Sequence, residues 1–503
     1  MNKPSGLYCA LSLVTASFLS AFDSTVFPPA IATIAKDLGG STTTTFWIGT
    51  AYILPSASLQ PFVCELSHRY GRRPFLLIST SFFAVGSIVG VVARTMPGII
   101  AGRAIQGIGG AGFITLPTVV ITDRFPASQR PLYTSLIQIF SALGMAMGPV
   151  VGGLISQYAH DDGDGHGGWR WIFYVNFPLC AVGYLAILLT PWPPHSNSRR
   201  PVDWVGCVLF TSSLVSLMLG ITWGGTLYEW SSVNVLLPLC LGAAGLVCTV
   251  GWELWGSAAP FLPAEMLRNG SSLALYLGTI LQGTSLHGCF YHISSYLEGI
   301  RHETPNMAGV GLLAILSTLI PASLTASWVA TKTGRLRELM WCGWVVTITA
   351  TATLCVLTAH SPTGTWVGIL LALGVGHGFL LNSQLFLAQA TAPASHAAYA
   401  SCLYNTFRTV GFALGVVVGA TVLQNLMARS LRDSGFSADT ARRLADDLGN
   451  LYYLAAGKSD PGTARLVVDA YLDGFHGIFA VLAGLGGTPE SNLWNWYDSC
   501  PTV

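Results

Sequence analysis

Long apolar stretches, broken by short polar ones, run from one end of the chain to the other. A helix that crosses a bilayer takes about 20 mostly apolar residues. By that measure spans are expected at 8–34, 46–66, 74–93, 97–121, 132–157 and 171–191, then at 203–224 and 233–256. Five more are expected at 271–296, 306–330, 338–359, 364–390 and 398–427, and a last, weaker one starts at Gly474. The runs are continuous and do not alternate in short segments, so they predict helices and not barrel strands. Between the last two spans, residues 428–473 form a polar outer loop. Within it the stretch Ser437 to Ala456 has helical spacing, with Leu444, Leu448, Leu451 and Tyr452 on one side, as in a helix lying on the membrane surface.

Two features recur at nearly one offset. The fifth span carries Gly144, Gly148 and Gly152, and the thirteenth carries Gly411, Gly415 and Gly419. Short basic loops, Gly71-Arg72-Arg73 and Gly334-Arg335-Leu336-Arg337, follow the second and tenth spans. Both pairings relate a helix to the one eight places later. The pattern predicts an all-α integral membrane protein of two similar six-helix bundles, residues 1–200 and 259–503, with two helices inserted at 201–258. About fourteen transmembrane helices are expected, the last one short, with an atypical C-terminus.

Composition agrees. Of 503 residues 9% are charged and 51% hydrophobic, whereas soluble domains carry roughly 25% charged residues. The 24 Lys and Arg balance the 23 Asp and Glu, which excludes a nucleic-acid footprint. Eleven cysteines show no CxxC or Cys/His metal spacing and read as small buried hydrophobes. Lys3, Arg69, Arg72, Arg73, Arg124, Arg130, Arg199, Arg200, Arg268, Lys332, Arg335 and Arg337 fall on one side of the predicted membrane. The short loops on the other side hold only Lys36, Arg94, Arg170 and Arg301, which places the N-terminus inside. The late outer loop, with its own arginines and aspartates, is the exception.

Charges at membrane depth need a reason. Asp23, Arg103 and Arg408 lie well inside apolar spans. Asp23 is the mid-span carboxylate of the first half and so the candidate proton carrier; Arg103 would act by shifting the proton affinity of a carboxylate, since a guanidinium does not itself release a proton. A static Asp23–Arg103 ion pair, or an Asp23 that merely ends its helix, are the alternatives. Gln106, Gln138, Gln282, His287, Asn382, Gln384, Asn405 and Arg408 are candidates for a substrate cavity, with Tyr52, Phe290, Tyr291 and Phe386 as aromatic walls. Helix-packing glue is the competing role for each.

The sequence resembles the major facilitator superfamily, in particular its fungal fourteen-helix drug:H+ antiporter branch, over nearly the whole chain. The resemblance rests on Asp23-Ser24-Thr25-Val26 in the first span, Leu66 to Pro74 after the second, and Arg103-Ala104-Ile105-Gln106-Gly107 in the fourth. It rests further on Gly144 to Gly153 in the fifth span, which includes Gly148-Pro149 and Gly152-Gly153, and on Trp169 to Asn176 at the sixth. It implies proton coupling through Asp23 and Arg103, an antiporter seam at Gly144, Gly148, Pro149, Gly152 and Gly153, and a gating loop at His68, Arg69, Gly71, Arg72 and Arg73. The loop departs from the family pattern: Cys64 stands where glycine is usual and His68 where an aspartate is. Neighbouring Glu65 is a substitute for that fixed negative charge.

No Walker A motif, nucleophile elbow or metal cluster appears in the sequence, so ATP-driven export and membrane enzymology are not supported. The expectation is proton-coupled efflux of small amphipathic organic molecules such as drugs, toxins or secondary metabolites, across the plasma membrane in preference to the vacuolar one. No cofactor beyond the proton gradient, no nucleic-acid partner and a monomer in the lipid bilayer go with it. A vacuolar, siderophore or basic amino acid transporter of the same branch, and an inactive or sensor-like scaffold, are the alternatives.

Overall fold

A computed structural model describes residues 3–39, 42–126, 129–158, 167–192, 202–225, 228–257, 260, 270–301, 303–393, 396–446 and 461–497. The first half holds α1 (Lys3–Thr25), α2 (Ile31–Leu38), α3 (Thr42–Tyr70), α4 (Arg72–Val92), α5 (Met96–Arg124), α6 (Arg130–Tyr158), α7 (Trp171–Tyr174) and α8 (Asn176–Leu189). The inserted pair is α9 (Trp204–Trp223) and α10 (Val233–Gly251). The second half holds α11 (Gly270–Gly299), α12 (Pro305–Lys332), α13 (Leu336–Thr353), α14 (Thr363–Thr391), α15 (Ala397–Asp433), α16 (Ala438–Asp446) and α17 (Pro461–Tyr497).

Among the described residues twelve helices are long and apolar enough to cross a membrane. The other two expected spans, α3 and α11, have 29 and 30 residues but are diluted by serine, threonine, glycine and glutamine. That dilution has a structural cause, because both helices lie in the middle of the molecule: every position of α11 from Gln282 to Ser294 is buried. The lipid-facing surface is apolar instead, with Val208, Leu241, Val247 and Trp328 each more than half exposed.

The two halves pack internally as α1 with α6 and α8, α3 and α4 with α5, then α11 with α15 and α17, and α12 and α13 with α14. They meet where α6 lies along α12 and where α15 lies along α3 and α5. The pair α9–α10 sits outside this arrangement, docked through α9 onto α3.

The repeat extends to backbone detail. Gly71 (φ 101°) separates α3 from α4, and Gly334 (φ 67°) separates α12 from α13; both hold left-handed conformations that a side chain disfavours. The basic side chains of Arg72 and Arg124, with the loop after α12, gather at one end of the molecule, and Arg170 and Arg301 lie at the other. Arg199, Arg200 and Arg268 lie outside the described residues.

One expectation is corrected. The last span does not begin at Gly474 and is not short: α17 starts at Pro461, and its membrane-compatible part is Arg465–Leu485. Arg465, Asp469 and Asp473 interrupt the apolar run, yet they lie on the exposed face, while Val467, Ala470, Tyr471, Phe475, Ile478, Phe479 and Leu482 bury the other. Asp473 accepts a hydrogen bond from Ser430 at 2.7 Å. The polar outer loop shrinks accordingly, since α15 runs on to Asp433 and α16 covers Ala438–Asp446. Leu444 packs against the core beside the buried Ala441 and Ala445; Leu448, Leu451 and Tyr452 lie outside the described residues.

Candidate functional site

Asp23 is fully buried in α1, and Arg103 of α5, 1% exposed, forms an ion pair with it. Asp23 therefore does not end its helix at the surface. The same guanidinium donates from Nη1 to Gln106 Oε1 at 2.8 Å and from Nε to the Ile48 carbonyl at 3.0 Å. Its face is sandwiched by the rings of Phe27 and Tyr52, 4.2 and 4.6 Å from their centroids. Gln106 donates in turn to Ser87 at 2.8 Å, and Asn176 donates to Asp23 Oδ1 at 3.3 Å. The charges are thus compensated by five helices at once, α1, α3, α4, α5 and α8. A buried pair needs this, because its desolvation is offset only when the remaining lone pairs and protons find partners.

Gly107 of the fourth-span motif and Gly110, one turn on, make room for this assembly. A Cβ on Gly107 would run into the main chain at Tyr52, and one on Gly110 would lie 2.7 Å from the Tyr52 hydroxyl. Tyr52 is thereby pressed between the ion pair and a cavity. Its hydroxyl lies 3.2 Å from Ser20 Oγ, and both residues line that cavity.

A cavity of about 70 Å³, smaller than the usual ligand pocket, lies between the halves. Ser17, Ser20, Ala21 and Ser24 of α1, Tyr52, Ile53 and Ser56 of α3, Phe113, Ile114 and Thr118 of α5, and Ile137, Gln138, Ser141 and Met145 of α6 line one side. Asn405, Arg408, Thr409 and Phe412 of α15 form the other. Of the expected cavity residues, Gln138, Asn405 and Arg408 are on this wall. The other five are not. Gln106 belongs to the ion-pair network, Gln282 reaches His377 at 3.5 Å, and Asn382 donates to Ser323 O and Ser327 Oγ at 2.9 and 2.8 Å. His287 stacks behind Phe412 with 4.8 Å between rings, and Gln384 is fully buried within α14. These groups share a polar periodicity with the wall but face helix–helix contacts. Of the aromatics, Tyr52 is on the wall, whereas Phe290, Tyr291 and Phe386 are buried elsewhere.

The halves touch on both sides of the cavity. At the end with the basic loops, Gln60 donates to Thr409 at 2.9 Å, Asn405 to Thr118 at 2.8 Å and Ser135 to Ser327 at 2.9 Å, each bond crossing between the halves. Below them the Tyr399 hydroxyl donates to Glu65 at 2.5 Å. His68 lies edge-on to the Tyr399 ring at 5.8 Å and 3.4 Å from Arg72. Arg72 also holds Asp123 at 2.9 Å and Ser67 at 2.6 Å, and Arg73 reaches the Leu188 carbonyl at 3.4 Å. Arg69 stacks on Tyr70 at 5.5 Å. Glu65, in place of the residue at 68, provides the carboxylate that meets the opposite half. Cys64 and Cys402 are buried in one cluster beside this contact, and the Cys402 thiol reaches the Gln60 carbonyl at 3.6 Å. At the opposite end α12 crosses α6 so closely that a Cβ on Gly309 would lie 2.8 Å from the Pro149 carbonyl.

The glycine arrays form the seams inside each half. A Cβ on Gly144 would lie 2.5 Å from the Phe18 carbonyl, and one on Gly148 2.9 Å from that of Phe22. Gly152 abuts Val26, and Gly153 is buried beside it. In the second half Gly411 and Gly415 meet α11 at Thr284 and Gly288 in the same way. Pro149, inside α6, leaves the Met145 carbonyl without its helical donor; the Thr25 hydroxyl stands 3.3 Å from it and shares its proton with α1 carbonyls.

Ser87, Asn176, Tyr399 and Gln60 were not among the candidates from sequence. Ser87 and Asn176 carry a usable signal, since each is polar within a strongly apolar helix. Tyr399 carries none, because nothing in sequence pairs it with Glu65.

The family model described as the Major Facilitator Superfamily matches residues 13–416. The chain is 32% identical over 484 residues to the MFS transporter L2 of Phoma sp., covering 95% of this chain and 79% of that one. It is 30% identical over 486 residues to the efflux pump FUS6 of Gibberella fujikuroi, covering 94% and 85%. Among solved structures, a bacterial homologue of the human lysosomal transporter Spinster, inward-facing and unoccupied, superposes with a TM-score of 0.68 at 16% identity over 99% of both chains. The human organic anion transporter MFSD10 gives 0.62 at 14% identity over 96% of this chain and 98% of that one. These structural likenesses concern the fold.

Proposed function

The chain belongs to the major facilitator superfamily and is a multi-pass transmembrane efflux transporter, and from that premise we propose that it exchanges inward-moving protons for an outward-moving small organic molecule at the plasma membrane. The observation that carries this reading is the Asp23–Arg103 pair, sealed from solvent and separated by one ring, that of Tyr52, from a cavity shared by both halves.

In the charged pair Asp23 is an acceptor for Arg103, Gln106 and Asn176. Protonating it removes the attraction that holds α1 to α5 and frees the guanidinium to turn to Gln106 and the Ile48 carbonyl, which it already engages. The α1–α6 seam then transmits the shift of α1 to the wall at Gln138, Ser141 and Met145. Bulky amphipathic substrates suit the mixed wall of isoleucine, phenylalanine and hydroxyl groups. The basic-loop end, with Glu65, Tyr399 and Arg72, faces the cytoplasm in this reading and opens to admit substrate. The unit is a monomer that needs no bound cofactor, the proton gradient being the driving force.

Purified protein in proteoliposomes tests it. Uptake of an exported metabolite into inside-out vesicles should follow an imposed pH gradient and collapse with a protonophore. Flux that ignores the gradient overturns the proton coupling.

A further inference from the structure

Among the described residues Arg408 is the one charged residue on the cavity wall, which holds no described Asp, Glu or His. No described carboxylate lies in salt-bridge range of it. Its guanidinium makes a 3.4 Å bond to the Tyr404 hydroxyl and stands 5.2 Å from the Phe412 ring centroid. Arg103 and Arg170, the deeply buried arginines, are by contrast met by an aspartate and by main-chain carbonyls. A cation held at membrane depth without a counter-ion is expensive, and here it faces open space. The neighbouring donors are mostly spent: Ser24 and Ser56 give their protons to main-chain carbonyls, and Asn405 gives its amide to Thr118. Arg408, the Gln138 amide and the Ser17 and Ser141 hydroxyls remain to meet an incoming acceptor.

Resting on the efflux reading above, we infer that the cavity takes amphipathic organic anions, carboxylates or acidic enols, with Arg408 as their anchor. The planar guanidinium fits two oxygens of one carboxylate. Ile53, Phe113, Ile137 and Met145 take the apolar body. An organic ammonium finds no acid on the wall and meets the Arg408 charge, so it is excluded. The substrate supplies the missing counter-ion, which ties occupancy of the cavity to relief of an uncompensated charge.

The test compares three probes of one shape on the purified full chain: radiolabelled naphthoate, naphthamide and naphthylmethylammonium. Naphthoate should bind about tenfold or more tighter than the amide, as expected for a charge-assisted pair, and the ammonium should not compete. Arg408→Gln should abolish the preference for the acid, and Arg408→Lys should retain part of it. Equal binding of acid and amide, tighter binding of the ammonium, absence of naphthoate binding, or an undiminished preference in a well-folded Arg408→Gln protein each overturn the inference. Flux of the same probes under a pH gradient separates the two readings. Gradient-driven transport of the amide without preference for the acid defeats the anion anchor and spares the antiporter. Arg408-dependent binding of the acid with no gradient-driven flux does the reverse.

Discussion

The Thr25 hydroxyl stands 3.3 Å from the main-chain carbonyl of Met145, the acceptor that Pro149 strips of its helical partner. A side chain of α1 thus fills a vacancy created by a proline in α6. Thr25→Val keeps the shape and removes the donor. It should lower stability by about 1–3 kcal/mol, the cost of an unsatisfied buried carbonyl, with Thr25→Ser close to wild type. Thermal melts of the purified protein in detergent measure this, and identical melting of all three proteins would show the contact to be idle.

The seams admit no side chain. Gly148→Val and Gly415→Val each push a branched group into the main chain of the facing helix and should destabilise by roughly 1–3 kcal/mol through overpacking. Gly364, where an added Cβ meets nothing within 4 Å, should accept alanine without loss. Comparable melting shifts at all three sites would mean that the seams are looser than the structure has them.

Breaking the buried pair from one side leaves a bare charge. Arg103→Ala should destabilise by roughly 3–5 kcal/mol, while the double replacement Asp23→Asn with Arg103→Gln should recover much of it. Proton-driven flux should stay absent in the recovered protein. Vesicle assays on the double variant that still show gradient-driven flux would remove Asp23 and Arg103 from the coupling step.

Tyr399→Phe deletes the hydroxyl that bonds Glu65 and should loosen the end with the basic loops. Buried Cys402 then becomes reachable, so its maleimide labelling should rise several-fold over wild type. Mild copper-catalysed oxidation of the unmodified protein should join Cys64 to Cys402, visible as a linked peptide lacking two hydrogens. Failure to link them under conditions that oxidise the exposed Cys342 would place the two thiols further apart.

Much of this architecture is legible in the sequence, and the parts that are not have physical reasons. Apolar run length locates most helices, because lipid exposure demands it of every outward residue. The same rule hides the start of α17, where Asp469 and Asp473 ride on the exposed face of a helix whose other face is buried. Glycines four apart lie along both seams, where an added Cβ would meet the facing main chain. Position around the helix axis is harder to read. Gln106 and Gln138 look alike in sequence, yet one completes an ion-pair network and the other faces the cavity. The contact from Glu65 to Tyr399 joins residues 334 positions apart and depends on how the two halves dock, which local pattern does not encode.

Asp23 belongs to the first half and Arg408 to the second, and the ring of Tyr52 covers the former. A carrier with a single shared carboxylate arbitrates between ion and cargo by rivalry for that group. Under the exchange reading, the two ligands here have no residue to contest. Cargo and proton then influence each other only through the movement of α1 against α6, so saturating cargo shifts apparent proton affinity by that conformational link and not by displacement.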